Sequence, residues 1–144
     1  RTLAVASRIE GIGRPRVEPS FNRHVIDHSI RVPDAESFAA ARFLERVLGR
    51  RVGPSTGTAL IACVELMSEM ARTAQAGAVV TLICDGGERY SETCYDDAWL
   101  ERNGLDCAAG IGRLERFWSE GAWSARRDGR RRPQPARGHP LTIG

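Results

Sequence analysis

Gly53-Pro54-Ser55-Thr56-Gly57-Thr58 is the stretch of this sequence with the plainest capacity for chemistry. A serine with glycine two residues before and two after, where a helical pattern begins, offers a hydroxyl on a backbone that a ligand can approach closely. The same G-x-S-x-G spacing is that of a nucleophile elbow, in which the serine attacks an acyl carbon. Asp85 follows an apolar run and His139 comes last, so Ser55, Asp85 and His139 stand in the chain order of an α/β-hydrolase serine esterase. The surroundings argue against that triad. An elbow serine tops a buried strand, whereas Ser55 follows Gly49, Arg50, Arg51 and a single apolar residue, Val52. His139 lies in a Pro/Arg tail that gives it no fixed place, and a triad needs its base within hydrogen-bond reach. The esterase is therefore the alternative; a contact from Ser55 to a bound group is the preferred reading.

Other residues carry weaker signals. Gly11-x-Gly13 marks a turn where backbone passes close to something, but Arg16 occupies the third glycine position of a dinucleotide fingerprint. His24 and His28 on an extended segment share a face yet lie roughly 13 Å apart, too far to ligate one ion. Cys63, Cys84, Cys94 and Cys107 show no C-x-x-C spacing and no histidine at a zinc-finger offset, so no metal site is expected. Cys63 and Cys84 read as small core residues in a reducing, cytoplasmic setting. The 21 basic residues are all arginine. This chain therefore offers no lysine for a Schiff base, a lysine base or a Walker-A loop.

The net charge of +3 is unevenly distributed. Residues 126–144 hold six arginines against Asp128 alone, leaving the other 125 residues slightly acidic. The tail reads as a disordered Arg/Pro/Gly segment. No aromatic or groove-fitting element accompanies its arginines, so nucleic acid is not the expected partner. The apolar runs are too short to span a membrane, and no signal peptide is expected at the start of the sequence.

The elements that must position Ser55 follow from periodicity. Residues 25–32 alternate as a strand does, and residues 2–6 read either as a short strand or as a frayed terminus. Asp34 is a fitting N-cap for a helix whose stripe runs through Phe38, Ala41, Leu44, Val47 and Leu48 to a stop at Gly49. A second helix is expected from about Gly57 to Arg72, with Leu60, Cys63, Val64, Met67, Met70 and Ala71 on its apolar side. Val79–Cys84 is nearly continuous apolar and β-branched, the signature of a strand buried on both faces of a parallel sheet; Asp85, just past its carboxyl end where such sheets bind ligands, reads equally as a site residue or as a loop carboxylate capping backbone N–H groups. A weakly helical segment runs to Trp99, Asn103-Gly104 marks a turn, and a last helix reaches about Gly121, with Trp118 and Trp123 as docking aromatics. The order reads as α/β with a mostly parallel sheet and flanking helices, over residues 1–125. Two clear strands are few for such a sheet, which suggests part of a domain and a fragment of a longer protein.

Three motifs in order carry a resemblance: Ser7-Arg8-Ile9-Glu10-Gly11-Ile12-Gly13, then Gly53 to Thr58, then Thr81-Leu82-Ile83-Cys84-Asp85-Gly86-Gly87-Glu88-Arg89-Tyr90. Together, over roughly residues 7–123, they resemble the C-terminal part of the cysteine synthase/cystathionine β-synthase family of fold-type II, tryptophan synthase β-like, pyridoxal-phosphate enzymes. The likeness is greatest to the cysteine-desulfhydrase-like branch. It implies that Ser55 hydrogen-bonds the ring nitrogen of pyridoxal 5′-phosphate, that Gly11 with Gly13 forms a loop at the mouth of the site, and that Asp85 lies near the ring edge. It implies β-replacement or β-elimination on cysteine or O-acetylserine-type substrates by a homodimeric parent enzyme. The family's Schiff-base lysine, its substrate loop and its phosphate cup have no counterpart in these residues, so this polypeptide alone is expected to be inactive.

Overall fold

A computed structural model of the chain describes residues 7–12 and 17–124. Its described elements are a 3-10 turn at Arg23–Val25, helix α1 (Asp34–Leu48), helix α2 (Pro54–Arg72), a 3-10 turn at Glu88–Tyr90, helix α3 (Asp97–Arg102) and helix α4 (Ala108–Glu120).

Helix α1 starts where Pro33, in extended conformation, cannot continue a helix backwards, and it stops where Gly49 adopts φ 66°. Asp34 is its first helical residue, one place later than an N-cap, and its carboxylate is spent elsewhere. It accepts from the Ser7 hydroxyl at 2.8 Å and the Arg8 backbone N–H at 2.6 Å, tying the N-terminal loop to the helix. Phe38, Ala39, Ala40, Ala41 and Phe43 are all buried, so α1 is covered on most of its circumference. The expected stripe fades at its end, where Val47 and Leu48 are exposed.

Helix α2 begins at Pro54, three residues earlier than periodicity suggests, because proline suits a first helical position where the missing N–H costs nothing. It crosses α1 through Gly57. A methyl group there would come within 2.0 Å of the Ser37 carbonyl oxygen. Beside the crossing, Thr58 donates to the Ser37 hydroxyl at 2.7 Å. The buried face is Thr56, Gly57, Ile61 and Val64. Met67, expected in the core, is exposed, because α1 is shorter than α2 and leaves its distal half uncovered.

On the other side, α4 crosses α1 at Gly110, whose missing side chain leaves room for the Ala39 methyl. Glu36 and Arg113 form an ion pair across this interface with side chains only 14% and 16% exposed. The Arg113 guanidinium also lies over the Trp123 ring at 5.2 Å. Trp123 docks edge-on against Phe117 and Trp118 edge-on against Phe43, as expected of both, although Trp118 stays 68% exposed.

The sheet expected from the sequence does not form among the described residues. Residues 25–32 hold the end of a 3-10 turn and then an irregular loop. Val79–Cys84 forms no strand, with Val80 88% and Leu82 75% exposed. Its only ladder-like contact comes just beyond its end, an antiparallel bridge between Val52 and Gly86. A run built to be buried on both faces needs neighbours to pair with, and the described part of this chain supplies none. Cys84 is accordingly exposed and Cys63 half-buried, while the two core thiols are Cys94 and Cys107. Residues 2–6, Gly13 and the segment 126–144 lie outside the described residues.

Candidate functional site

Ser55 is the second residue of α2, half-buried, and its hydroxyl has no partner among the described residues. Three connections fix the backbone around it. Tyr95 clamps Val52, donating to its carbonyl at 2.7 Å and accepting from its N–H at 3.0 Å. The Gly53 N–H donates to the Asp85 carbonyl at 3.0 Å, and the Gly87 N–H to the Arg51 carbonyl at 3.2 Å. The Thr56 hydroxyl accepts from the Cys84 N–H at 3.1 Å. The connection between α1 and α2 and the segment 84–87 are thus stitched into one unit, although their sequence separation is about thirty residues.

The two glycines flanking Ser55 are occupied by the protein itself. Gly57 faces the Ser37 carbonyl, as described above. A side chain at Gly53 would meet Asp85 Oδ1 at 1.8 Å. The reading of these glycines as room for a ligand's approach is corrected: each makes room for an internal oxygen. The Ser55 hydroxyl, by contrast, is left available.

Asp85 sits over the start of α2 with its two carboxylate oxygens in different circumstances. Oδ2 accepts from the Tyr90 hydroxyl at 2.7 Å. Oδ1 is buried and has no hydrogen-bond partner. A buried carboxylate oxygen without a donor is costly, and such atoms concentrate where a ligand or function compensates them. Burial and the bond to Asp85 push the Tyr90 hydroxyl up to about 12, so it remains a donor at neutral pH.

Gly11 is reached through its neighbours. Ile9 packs into the same core cluster as Val52 and Tyr90, and Glu10 pairs with Arg89 at 3.0 Å. The structure therefore carries the Gly11 loop to the Asp85–Tyr90 segment. Gly11 itself has φ 82° and open space where a side chain would stand, so the turn needs glycine for its left-handed backbone and not for close packing. Of the esterase triad, Ser55 and Asp85 both lie at the start of α2, and His139 lies outside the described residues. Ser55 is on the first turn of a helix that follows a loop, which is not the top of a buried strand. No group of described residues could hold a metal ion, and no described helix is long and apolar enough to cross a membrane.

The chain is 50% identical over 122 residues, 85% of its length, to L-cysteine desulfhydrase Cds1 of Mycobacterium tuberculosis. A protein assigned as a cysteine synthase in Sinorhizobium fredii is 38% identical over 80 residues, or 56% of the chain. The family is the cysteine synthase family of fold-type II pyridoxal-phosphate enzymes. A third relative is N-(2-amino-2-carboxyethyl)-L-glutamate synthase of Ralstonia nicotianae, 35% identical over 102 residues, or 71% of the chain. The chain spans 33%, 23% and 29% of these relatives, respectively. No known family profile matches it.

Sequence reasoning missed Tyr90, Tyr95 and Thr56 as residues that build the site. Tyr90 was visible inside the third motif, but nothing in its spacing said that it would hold Asp85. Tyr95 carries no local signal, since its partner lies 43 residues away.

Proposed function

We propose that this chain is the ring-contacting part of a pyridoxal-phosphate enzyme of cysteine metabolism, acting by β-elimination or β-replacement on cysteine or O-acetylserine-type substrates. The observation that carries the proposal is the Ser55 hydroxyl, half-buried and unpartnered on a turn otherwise tied down on every side. A hydroxyl in that position can donate to a pyridine nitrogen or accept from its protonated form. When bound, the cofactor supplies an electron sink for the substrate's Cα and lets a β-substituent leave.

The residues present fit such a ring. The start of α2 lends partial positive charge, the turn offers one free hydroxyl, and the orphaned Asp85 Oδ1 lies against Gly53, two residues before it in the chain. Ser55 would hold the ring nitrogen and the Gly11 loop would line the mouth of the site. Val79–Cys84 would be a strand of a parallel sheet, paired by chain beyond the residues described. With no lysine, the polypeptide alone would form no side-chain Schiff base and would be inactive; the parent enzyme would be a cytoplasmic homodimer.

The test uses 4′-deoxypyridoxine 5′-phosphate, which keeps the ring and phosphate but lacks the aldehyde. Wild-type chain should bind it saturably, and Ser55→Ala should weaken binding about tenfold, the equivalent of one lost hydrogen bond. Equal affinity in both would remove Ser55 from the site. Separately, pyridoxal phosphate followed by borohydride should leave no stable adduct on any side chain.

A further inference from the structure

Asp85 has a second consequence for the bound ring, and it rests on the reading of Ser55 just given. Its carboxylate is held at one oxygen by Tyr90, so it has little freedom to turn away. Its other oxygen, Oδ1, is buried, unpartnered and packed against Gly53, two residues before Ser55. The charged groups around it are otherwise matched. Arg51 engages Glu45 at 2.8 Å and the Ser91 hydroxyl at 3.0 Å. Arg89 engages Glu10. At the start of α2 stand Gly53, just before the helix, and Pro54 and Ser55, its first two residues, none of which carries a charge. Glu88 is exposed to solvent, where its charge is screened. Asp85 is half-buried, and its Oδ1 is the buried oxygen beside the turn that has no donor.

We infer that the Asp85 carboxylate acts on the ring nitrogen held at Ser55, favouring its protonated form, so that the Ser55 hydroxyl accepts from the ring N–H. A serine alone does not hold a proton on a pyridine nitrogen. An anionic oxygen beside it stabilises a pyridinium through space, the service that a directly bonded aspartate gives in other pyridoxal-phosphate sites. The protonated ring is the stronger electron sink, and Asp85 thereby becomes a tuning residue. Tyr90 is the positioning residue that keeps the carboxylate turned toward the start of α2.

The experiment is a pH titration of ring-15N-labelled 4′-deoxypyridoxine 5′-phosphate bound to the full chain, read by the 15N chemical shift, which separates protonated from hydrogen-bonded nitrogen. In the wild-type chain the ring should stay protonated to higher pH than in Asp85→Asn, by at least about one unit, the shift an opposite charge at close range produces. Tyr90→Phe, which keeps the charge and removes its tether, should fall between the two. Thermal melts establish that both variants are folded. Identical titrations in all three proteins overturn the role of Asp85 while leaving Ser55 as the ring contact. Absence of saturable binding in the wild-type chain overturns both.

Discussion

Gly57 lies so close to Ser37 that a methyl group on it would stand 2.0 Å from the Ser37 carbonyl oxygen. The glycine belongs to the crossing of α1 and α2, where the obstruction is backbone and cannot swing aside. Gly57→Ala must therefore push the helices apart, at a cost of at least about 2 kcal/mol. Urea melts should show the loss in the midpoint. An unchanged midpoint would mean that the helices do not meet at this residue.

Tyr95→Phe deletes the one oxygen that satisfies both the N–H and the carbonyl of Val52, a residue with no exposed surface. Two buried backbone groups lose their partner, and about 2 kcal/mol should be lost with them. The Arg51 guanidinium, 4.8 Å from the ring centroid, should stay stacked on phenylalanine. The Val52 amide reports directly: its hydrogen exchange should quicken in the variant while amides in the middle of α4 shift only with global stability. Unaltered Val52 exchange would place its hydrogen bonds elsewhere.

Alkaline pH should destabilise the fold in two stages. Burial pushes the Cys94 thiol from 9.0 to about 12, and the Tyr95 hydroxyl from 10.0 to about 12. Above pH 9 the unfolded chain has released the Cys94 proton and the folded chain has not. The unfolded state then binds fewer protons, so stability falls as pH rises, first through the thiol and above pH 10 through the tyrosine as well. Cys107, also raised by burial, adds to the first stage. Cys94→Ala should therefore show a shallower fall between pH 9 and 10 in urea melts, with the later fall retained. Parallel curves would indicate that the Cys94 thiol ionises in the folded protein.

The exposed run Val79–Cys84 should tolerate charge in the isolated chain. Leu82→Asp alters a side chain that is 75% exposed and should change stability by no more than about 0.5 kcal/mol. It should also reduce concentration-dependent association in light scattering, because an unpaired apolar strand is a template for pairing with another chain. A melting temperature several degrees lower would show that Leu82 is packed after all.

The helices were legible because their boundaries are local physics. Pro33, Gly49 and Gly121 mark ends by the backbone angles they impose, and the observed α1 and α4 stop at those glycines. The family, too, was legible, because three short motifs stand in this sequence in a recognisable order. Asp85 and Ser55 could be named as candidates for the same reason. The strand at Val79–Cys84 was legible only as a preference: an apolar β-branched run favours a sheet, but pairing is a contact between distant segments, and no local pattern contains the neighbour.

What remained for the tertiary structure was the use to which each small residue is put. A glycine in a sequence announces missing volume without saying what fills it. At Gly53 the Asp85 carboxylate fills it, and at Gly57 the Ser37 carbonyl. The Tyr95 clamp on Val52 and the Tyr90 tether on Asp85 likewise depend on where distant segments of chain come to rest. The sequence by itself determined that a serine hydroxyl stands at a helix start in a chain without lysine, since residue type and local backbone preference suffice for that. Only packing decided that the space around the serine is closed by the protein's own oxygens and that its hydroxyl is left open.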